Sequence, residues 1–168
     1  MEGRRDAQYR LYQLYSGAMY NICLRFMRTK EEAEDMLQES FTTAFRRLTT
    51  YRFDAPFGSW LKQIVINHCI NTLKRKKAEL VYVQDMTRQD RPEVNDENNE
   101  DEVKMNVMKI HKAIEQLPEG SRIILSLYLL EGYDHTEIAQ IMDISESTSK
   151  TQYMRAKNKV LELIKQMN

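Results

Sequence analysis

Glycine is scarce in this chain, 5 of 168 residues, which leaves no material for a glycine-rich loop that cradles phosphate on its backbone amides. Only two cysteines occur, Cys23 and Cys69. A secreted scaffold of this size would need a denser disulfide framework, so a reducing compartment is expected. No uninterrupted apolar run approaches the roughly 18 residues of a membrane span, and Glu2, Arg4, Arg5 and Asp6 open the chain with no signal-peptide core behind them. These absences predict a soluble, cytoplasmic protein with no membrane insertion. A surplus of one charge is missing too: Lys plus Arg and Asp plus Glu number 25 each, unlike a uniformly polycationic binder.

The balance conceals an uneven distribution. Residues 1–80 hold 14 basic and 9 acidic side chains, residues 81–103 hold 2 and 8, and residues 104–168 hold 9 and 8. Two balanced-to-basic blocks flank an acidic insert whose RQDRPEVNDENNED stretch has no periodic apolar face, as a solvated linker requires. The expected organisation is a domain at 1–80, a flexible acidic linker at 81–103 and a domain at 104–168.

What is present in both blocks is helical periodicity. Leu11, Tyr15, Ala18, Ile22 and Phe26, with Leu14, Met19 and Cys23 beside them, form a stripe three to four residues apart. Thr29 and Glu32 resemble a capping box opening a second helix, whose buried side would be Ala33, Met36, Leu37, Ser40, Phe41, Ala44 and Leu48. Asp54, Pro56 and Gly58 mark a turn. Ser59 would cap a third helix through Trp60, Leu61, Ile64, Val65, Cys69 and Leu73, ending near the run Lys74 to Lys77. After the insert, spacing resumes at Val103, Val107, Ile110, Ile114 and Leu117 and stops at Pro118; Ile123, Ile124, Leu127, Tyr128 and Leu130 follow. The fold class is all-α: two small helical domains on a tether.

The last segment predicts a helix-turn-helix. Asp134 with Glu137 is an acidic capping box, Ile138, Ala139, Ile141 and Met142 supply a packing face, Asp143 and Ile144 a tight turn, and Ser145 a cap for a helix over 146–166. Ala139 is where the two helices would approach closely. Ser147, Thr148, Lys150, Thr151, Gln152, Tyr153 and Arg155 give the second helix hydroxyl, amide and cationic groups. Such groups address base edges, while Lys150, Lys157 and Lys159 suit phosphates.

These residues carry a family resemblance. SRIILSLYLLEGYDHTEIAQIMDISESTSKTQYMRAKNKVLELI resembles the fourth conserved region of bacterial RNA polymerase sigma factors of the extracytoplasmic-function (ECF) group of the sigma-70 family. EEAEDMLQESFTTAFRRL followed by FGSWLKQIVINHCINTLKRKK resembles their region two. The resemblance implies that 1–80 binds the clamp of core RNA polymerase and engages the minus-ten promoter element. Glu34, Asp35, Gln38, Glu39 and Phe41 fall in the clamp-binding stretch. Trp60, Lys62, Gln63, Asn67, Asn71, Lys74 and Arg75 belong to the promoter-contacting helix, beside the loop from Tyr51 to Gly58 where the family recognises a flipped base. Among them Trp60 reads first as a core or helix-packing residue, and Asn67 reads also as a cap or brace of local structure. Ser147, Thr148, Lys150, Thr151, Gln152, Tyr153 and Arg155 take the minus-thirty-five positions. There the chain departs from the family's glycine, valine and arginine with Ser147, Ser149 and Gln152; Ser149 weakens the expected packing face.

The implied partners are core RNA polymerase, promoter DNA and, by family habit, an anti-sigma factor. No cofactor, metal or catalytic group is expected. His68 and Cys69 are neighbours on a helix, about 100° apart, and with Cys23 they match no metal-binding spacing. Two other readings remain at this point: a stand-alone helix-turn-helix regulator, and a sigma-like adaptor that sequesters an anti-sigma protein. Two weak DNA sites on one tether gain effective concentration only when a partner fixes their separation, so linker length should matter more than linker sequence.

Overall fold

The computed structural model describes residues 2–82 and 101–167, with side chains for 5–76 and 107–167. The chain divides into two compact units, Met1–Arg91 and Pro92–Asn168. Residues 83–100, where most of the acidic linker is expected, lie outside the described residues.

The first unit packs three helices, α1 (Glu2–Phe26), α2 (Lys30–Arg46) and α3 (Phe57–Tyr82), with a single 3-10 turn at Leu48–Thr50. Its core is Met19, Ile22, Cys23 and Phe26 from α1, Met27 just after it, Ala33, Met36, Leu37, Phe41 and Ala44 from α2, and Leu61, Val65, Ile66, Cys69, Ile70 and Leu73 from α3. Burying each larger aliphatic or aromatic side chain contributes about 1.5–3 kcal/mol, so this shared core rather than helix propensity holds the unit. The expected face of α2 is buried as read except Leu48, which falls in the 3-10 turn. On α1 the face differs: Ala18 and Leu14 are exposed, and burial begins at Met19.

The ends of these helices follow from local chemistry. The Thr29 hydroxyl accepts from the Glu32 N–H at 3.2 Å, while the Glu32 carboxylate accepts from the N–H of Arg28, one residue beyond the capping-box position. The start of α3 is three residues earlier than expected, at Phe57 and not Trp60, because the Pro56 carbonyl accepts from the N–H groups of both Ser59 and Trp60. Ser59 is therefore inside the first turn and not its cap. At its far end α3 continues past Lys77 to Tyr82, so the last residues of the first block and the first two of the expected linker are helical. Lys, Arg, Ala, Glu and Leu are good helix formers, and nothing in that stretch breaks the backbone pattern.

The second unit contains α4 (Asp101–Glu115), α5 (Glu119–Leu129), α6 (His135–Met142) and α7 (Glu146–Gln166). Ala113, Ile114, Leu117, Ile123, Ile124, Leu125, Leu127, Ile138 and Ala156 are buried. Tyr153 and Val160 pack against Ile114, Leu117, Leu125 and Ala156. Val107, Ile110, Tyr128 and Leu130, expected on packing faces, are exposed. Both caps of the α6–α7 pair form as the sequence predicts. Asp134 and Glu137 complete a reciprocal capping box, and the Ser145 hydroxyl accepts from the Thr148 N–H at 3.1 Å. Asp143 closes α6 in the left-handed region at φ 58°, which lets the Ile144 N–H reach the Ala139 carbonyl and turns the chain into α7.

Candidate nucleic-acid interface

On α3, at 100° per residue, Trp60, Gln63, Asn67, Asn71 and Lys74 share an arc of about 80°. Gln63, Asn67, Asn71, Lys74 and Arg75 are exposed, and Trp60 is half-buried. Lys62 projects from the opposite side, within the arc that holds Leu61, Val65, Cys69, Leu73 and Ile66. The structure thus assembles six of the seven residues singled out on this helix along one side and leaves Lys62 away from them. The basic run is also divided. Lys76 donates to the Glu32 carboxylate at 2.5 Å, tying α3 to α2, whereas Lys74 and Arg75 remain on the outer surface. Burial raises the Glu32 pKa, but the Lys76 hydrogen bond and the Arg28 N–H outweigh it and hold the carboxyl below its ordinary value.

The loop before α3 is an aromatic cluster that helical periodicity did not show. The Tyr51 ring lies 4.5 Å from Phe53, 5.7 Å from Phe57 and 5.3 Å from Trp60, centroid to centroid. Phe57 also meets Tyr15 of α1 at 5.3 Å. The Tyr51 hydroxyl donates to the Ala55 carbonyl at 2.6 Å and closes the loop on itself. Gly58 admits this packing, since a Cβ there would stand 2.9 Å from Tyr15 Cε1. Phe53 is the outlier. Its backbone is left-handed at φ 61°, and the residue is 82% exposed. A non-glycine residue in that region costs of order 1 kcal/mol, and the cost here holds a flat apolar ring in solvent, against Tyr51. The loop was legible from its proline and glycine; the residue at its tip was not.

On α2, Glu34, Asp35, Gln38 and Glu39 are exposed on the side away from the core. Glu39 faces His68 of α3 at 3.8 Å. Glu34 and Gln38 border a shallow groove of about 390 Å³ that Tyr12, Ser16, Gly17, Tyr20 and Leu37 complete. Phe41, grouped with them by sequence, is a core residue at 3% exposure, with its ring 4.8 Å from Tyr12 and 5.7 Å from Phe45. It lies on the apolar arc of the helix and supports the surface from behind.

Along α7, Ser147, Thr148, Lys150, Thr151 and Arg155 are exposed, and Met154, 51% exposed, sits in the same field. Met154 was missed because a methionine at helical spacing reads as core. Gln152 is half-buried and its Oε1 accepts from the Ser121 hydroxyl of α5 at 3.0 Å. Tyr153 points inward, 4.5 Å from Tyr128 and 5.5 Å from His135. Ser149 does not leave the packing face weak. It is fully buried, and its hydroxyl lies 2.9 Å from His135 Nδ1, whose ring stacks on Tyr128 at 4.5 Å. A hydroxyl in an apolar slot is tolerated when it is hydrogen-bonded, and His135 supplies the bond.

Cys23 and Cys69 are free thiols buried in the core of the first unit. Their mutual hydrogen bond and burial push Cys69 well above the ordinary thiol range, so it stays protonated and serves packing. Among the described residues, no cluster of three His, Cys, Asp or Glu side chains could hold a metal, and no helix is long and apolar enough to cross a membrane.

An all-α chain of two helical units, each presenting a polar helix face to solvent, is the class these observations define. Residues 11–79 match the family model for sigma-70 region 2, and residues 108–160 match that for sigma-70, region 4. The RNA polymerase sigma-H factor of Pseudomonas aeruginosa is 31% identical over 157 residues, covering 87% of this chain and 80% of that protein. The ECF RNA polymerase sigma factor SigM of Mycobacterium tuberculosis is 28% identical, covering 99% and 81%. Among solved structures, the sigma factor RpoE of Bartonella quintana, in complex with the anti-sigma factor NepR, shares the fold with a TM-score of 0.66 at 18% identity, covering 94% of this chain and 96% of that one. CnrH, in complex with the cytosolic domain of CnrY, has a TM-score of 0.54 at 18% identity, covering 98% and 91%. The chain belongs to the sigma-70 family of RNA polymerase sigma factors, in its ECF group.

Proposed function

We propose that this sigma factor divides promoter recognition between its two units in the cytoplasm, with the first also holding core RNA polymerase. The observation that carries the reading is that regions 2 and 4 occur in one chain, each with an exposed polar helix face. Its family role is to bind core polymerase and direct promoter recognition, and it is not an enzyme. In this reading residues 1–80 and 104–168 are the working domains and 81–103 the tether between them.

Glu34, Asp35, Gln38 and Glu39 pair with a basic surface of the polymerase clamp, and Phe41 holds their helix in place. Gln63, Asn67 and Asn71 offer amide hydrogen bonds to unpaired minus-ten bases, and Lys74 and Arg75 hold the backbone. Phe53 is the stacking platform for a base turned out of the duplex, with Tyr51, Phe57 and Trp60 stiffening the loop beneath it; every base presents a π-face, so stacking adds capture without sequence preference. α6 and α7 act as a helix-turn-helix, placing Ser147, Thr148, Lys150, Thr151 and Arg155 in the minus-thirty-five major groove, with Met154 against thymine methyl groups. Gln152 and Tyr153 brace that helix from α5 and the aromatic cluster. An anti-sigma protein is a further partner, in keeping with the NepR complex of the structurally similar RpoE.

The test is to mix the purified chain with bacterial core RNA polymerase and select initiating promoters from a randomised DNA library. Recovery of paired upstream and downstream elements supports the reading. No binding where a control sigma factor binds, or specific duplex binding without polymerase, overturns it in favour of an adaptor or a stand-alone regulator.

A further inference from the structure

Glu146 is the first residue of α7, and in its first turn the carboxylate is the one acidic group. Acidic residues are common at such positions because they complement the helix dipole, but this one is not spent on its own backbone. The cap comes from the Ser145 hydroxyl, which accepts from the Thr148 N–H. The Glu146 carboxylate instead turns sideways. Oε1 meets Lys150 Nζ at 2.5 Å, one turn along the helix, and Oε2 lies 3.4 Å from the Thr136 hydroxyl of α6. The capping box of α6 shows the contrast, because the Glu137 carboxylate accepts from the Asp134 N–H at 2.9 Å.

Glu146 and Lys150 are both substantially exposed, at 47% and 59% of their side chains, so they stand at the leading end of the helix as a matched anion and cation. A carboxylate brought up to phosphate is repelled. In the major groove its natural partner is an exocyclic amine. Cytosine presents there only its N4 amine, whereas adenine sets an N7 acceptor beside its amine and repels a carboxylate. The guanine opposite cytosine offers O6 and N7, both acceptors for an ammonium. The two side chains, already in contact, carry the complement of one such base pair.

We propose that Glu146 and Lys150 together read a single C·G base pair of the minus-thirty-five element, Glu146 accepting from cytosine N4 and Lys150 donating to the paired guanine. This assignment rests on the proposed promoter role of α7. The Thr136 hydroxyl, 3.4 Å from Oε2, is a long contact that biases the carboxylate toward this orientation before binding.

The experiment is selection of upstream elements from a randomised library by holoenzyme carrying the wild-type chain, Glu146→Gln or Glu146→Ala. Glutamine keeps the size of the side chain at an exposed position, so the fold persists, and it pairs with adenine N6 and N7. The wild type should require C at one position. Glu146→Gln should lower that preference about 10-fold and shift it toward A, and Glu146→Ala should abolish it, all other positions being unchanged. Unchanged base preference in both variants, or a uniform gain in affinity at every sequence, would overturn the assignment and leave Glu146 as a charge at a helix end. A wild type that selects no upstream element would instead overturn the promoter role of α7, and this assignment with it.

Discussion

The Ser149 hydroxyl lies 2.9 Å from Nδ1 of His135, so the buried polar side chain of α7 is tied to the first residue of α6. The bond is roofed by the stacked ring of Tyr128 and the edge of Tyr153. It fixes the angle between the two helices from inside, leaving their outer surfaces free for other work.

Ser149→Ala removes one partner and leaves the other buried, which costs about 1 kcal/mol or somewhat more. The loss should appear as faster hydrogen exchange of α6 and α7 amides, with the first unit unaffected. In a double-mutant cycle with His135→Ala, the two losses should fall short of additivity by at least about 0.5 kcal/mol. Additive losses would show that the two residues act separately.

Gly58→Ala sets a Cβ 2.9 Å from the Tyr15 ring. Overpacking costs about 1–3 kcal/mol, against a helix-propensity gain of at most about 1 kcal/mol, so the net effect is a loss near 1 kcal/mol. In a Tyr15→Ala background the obstacle is gone and the same substitution should turn neutral or stabilising. Thermal unfolding of the four chains reads the change of sign.

Lys76 and Lys74 lie two positions apart and should differ in kind. Glu32 has a depressed folded pKa, so its pair with Lys76 contributes above the unfolded carboxylate pKa and is lost as pH falls through the folded value. Both groups are about a third exposed, so solvent screening limits the pair to about 0.5 kcal/mol. Lys76→Met should lower stability by that amount at neutral pH, with the difference vanishing in acid. Lys74→Ala and Arg75→Ala should instead leave stability unchanged, weaken promoter binding and reduce the salt slope by about one each. A salt slope altered equally by Lys76→Met would contradict the division.

Phe53→Asn keeps a residue that tolerates the left-handed backbone while removing the ring. With 82% of Phe53 in solvent, stability should scarcely change. Stacking on an aromatic side chain is worth about 1–3 kcal/mol per base, so open-complex formation should fall about 10-fold, measured by single-round transcription. Full activity in the variant would remove Phe53 from base capture.

Much of the fold was legible because burial imposes a period. Six positions of α2, from Ala33 to Ala44, are buried as spacing alone requires. The same logic failed on α1, where Leu14 and Ala18 continue the stripe but face solvent. Periodicity reports a face, and it does not report how far along the helix a partner covers that face. Helix ends were misplaced where good helix formers continue into a charged run, as from Lys77 to Tyr82. The site divided in the same way. The exposed positions of α7 followed from residue type and spacing, but Tyr153 turned inward, because the partners of an aromatic ring, Tyr128 and His135, are set by tertiary packing. Ser149 looked like a gap in an apolar face for the same reason: its partner is 14 positions away. Phe53 needed a backbone conformation that composition does not encode.

Both cysteines of the chain lie in the core of the first unit, and neither side chain reaches solvent. A thiol-reactive reagent is therefore a native reporter of opening in that unit alone, silent to any event in α4 to α7. A single cysteine introduced on the surface of the second unit would be labelled first and selectively, giving each half of the molecule its own signal without removing a natural residue.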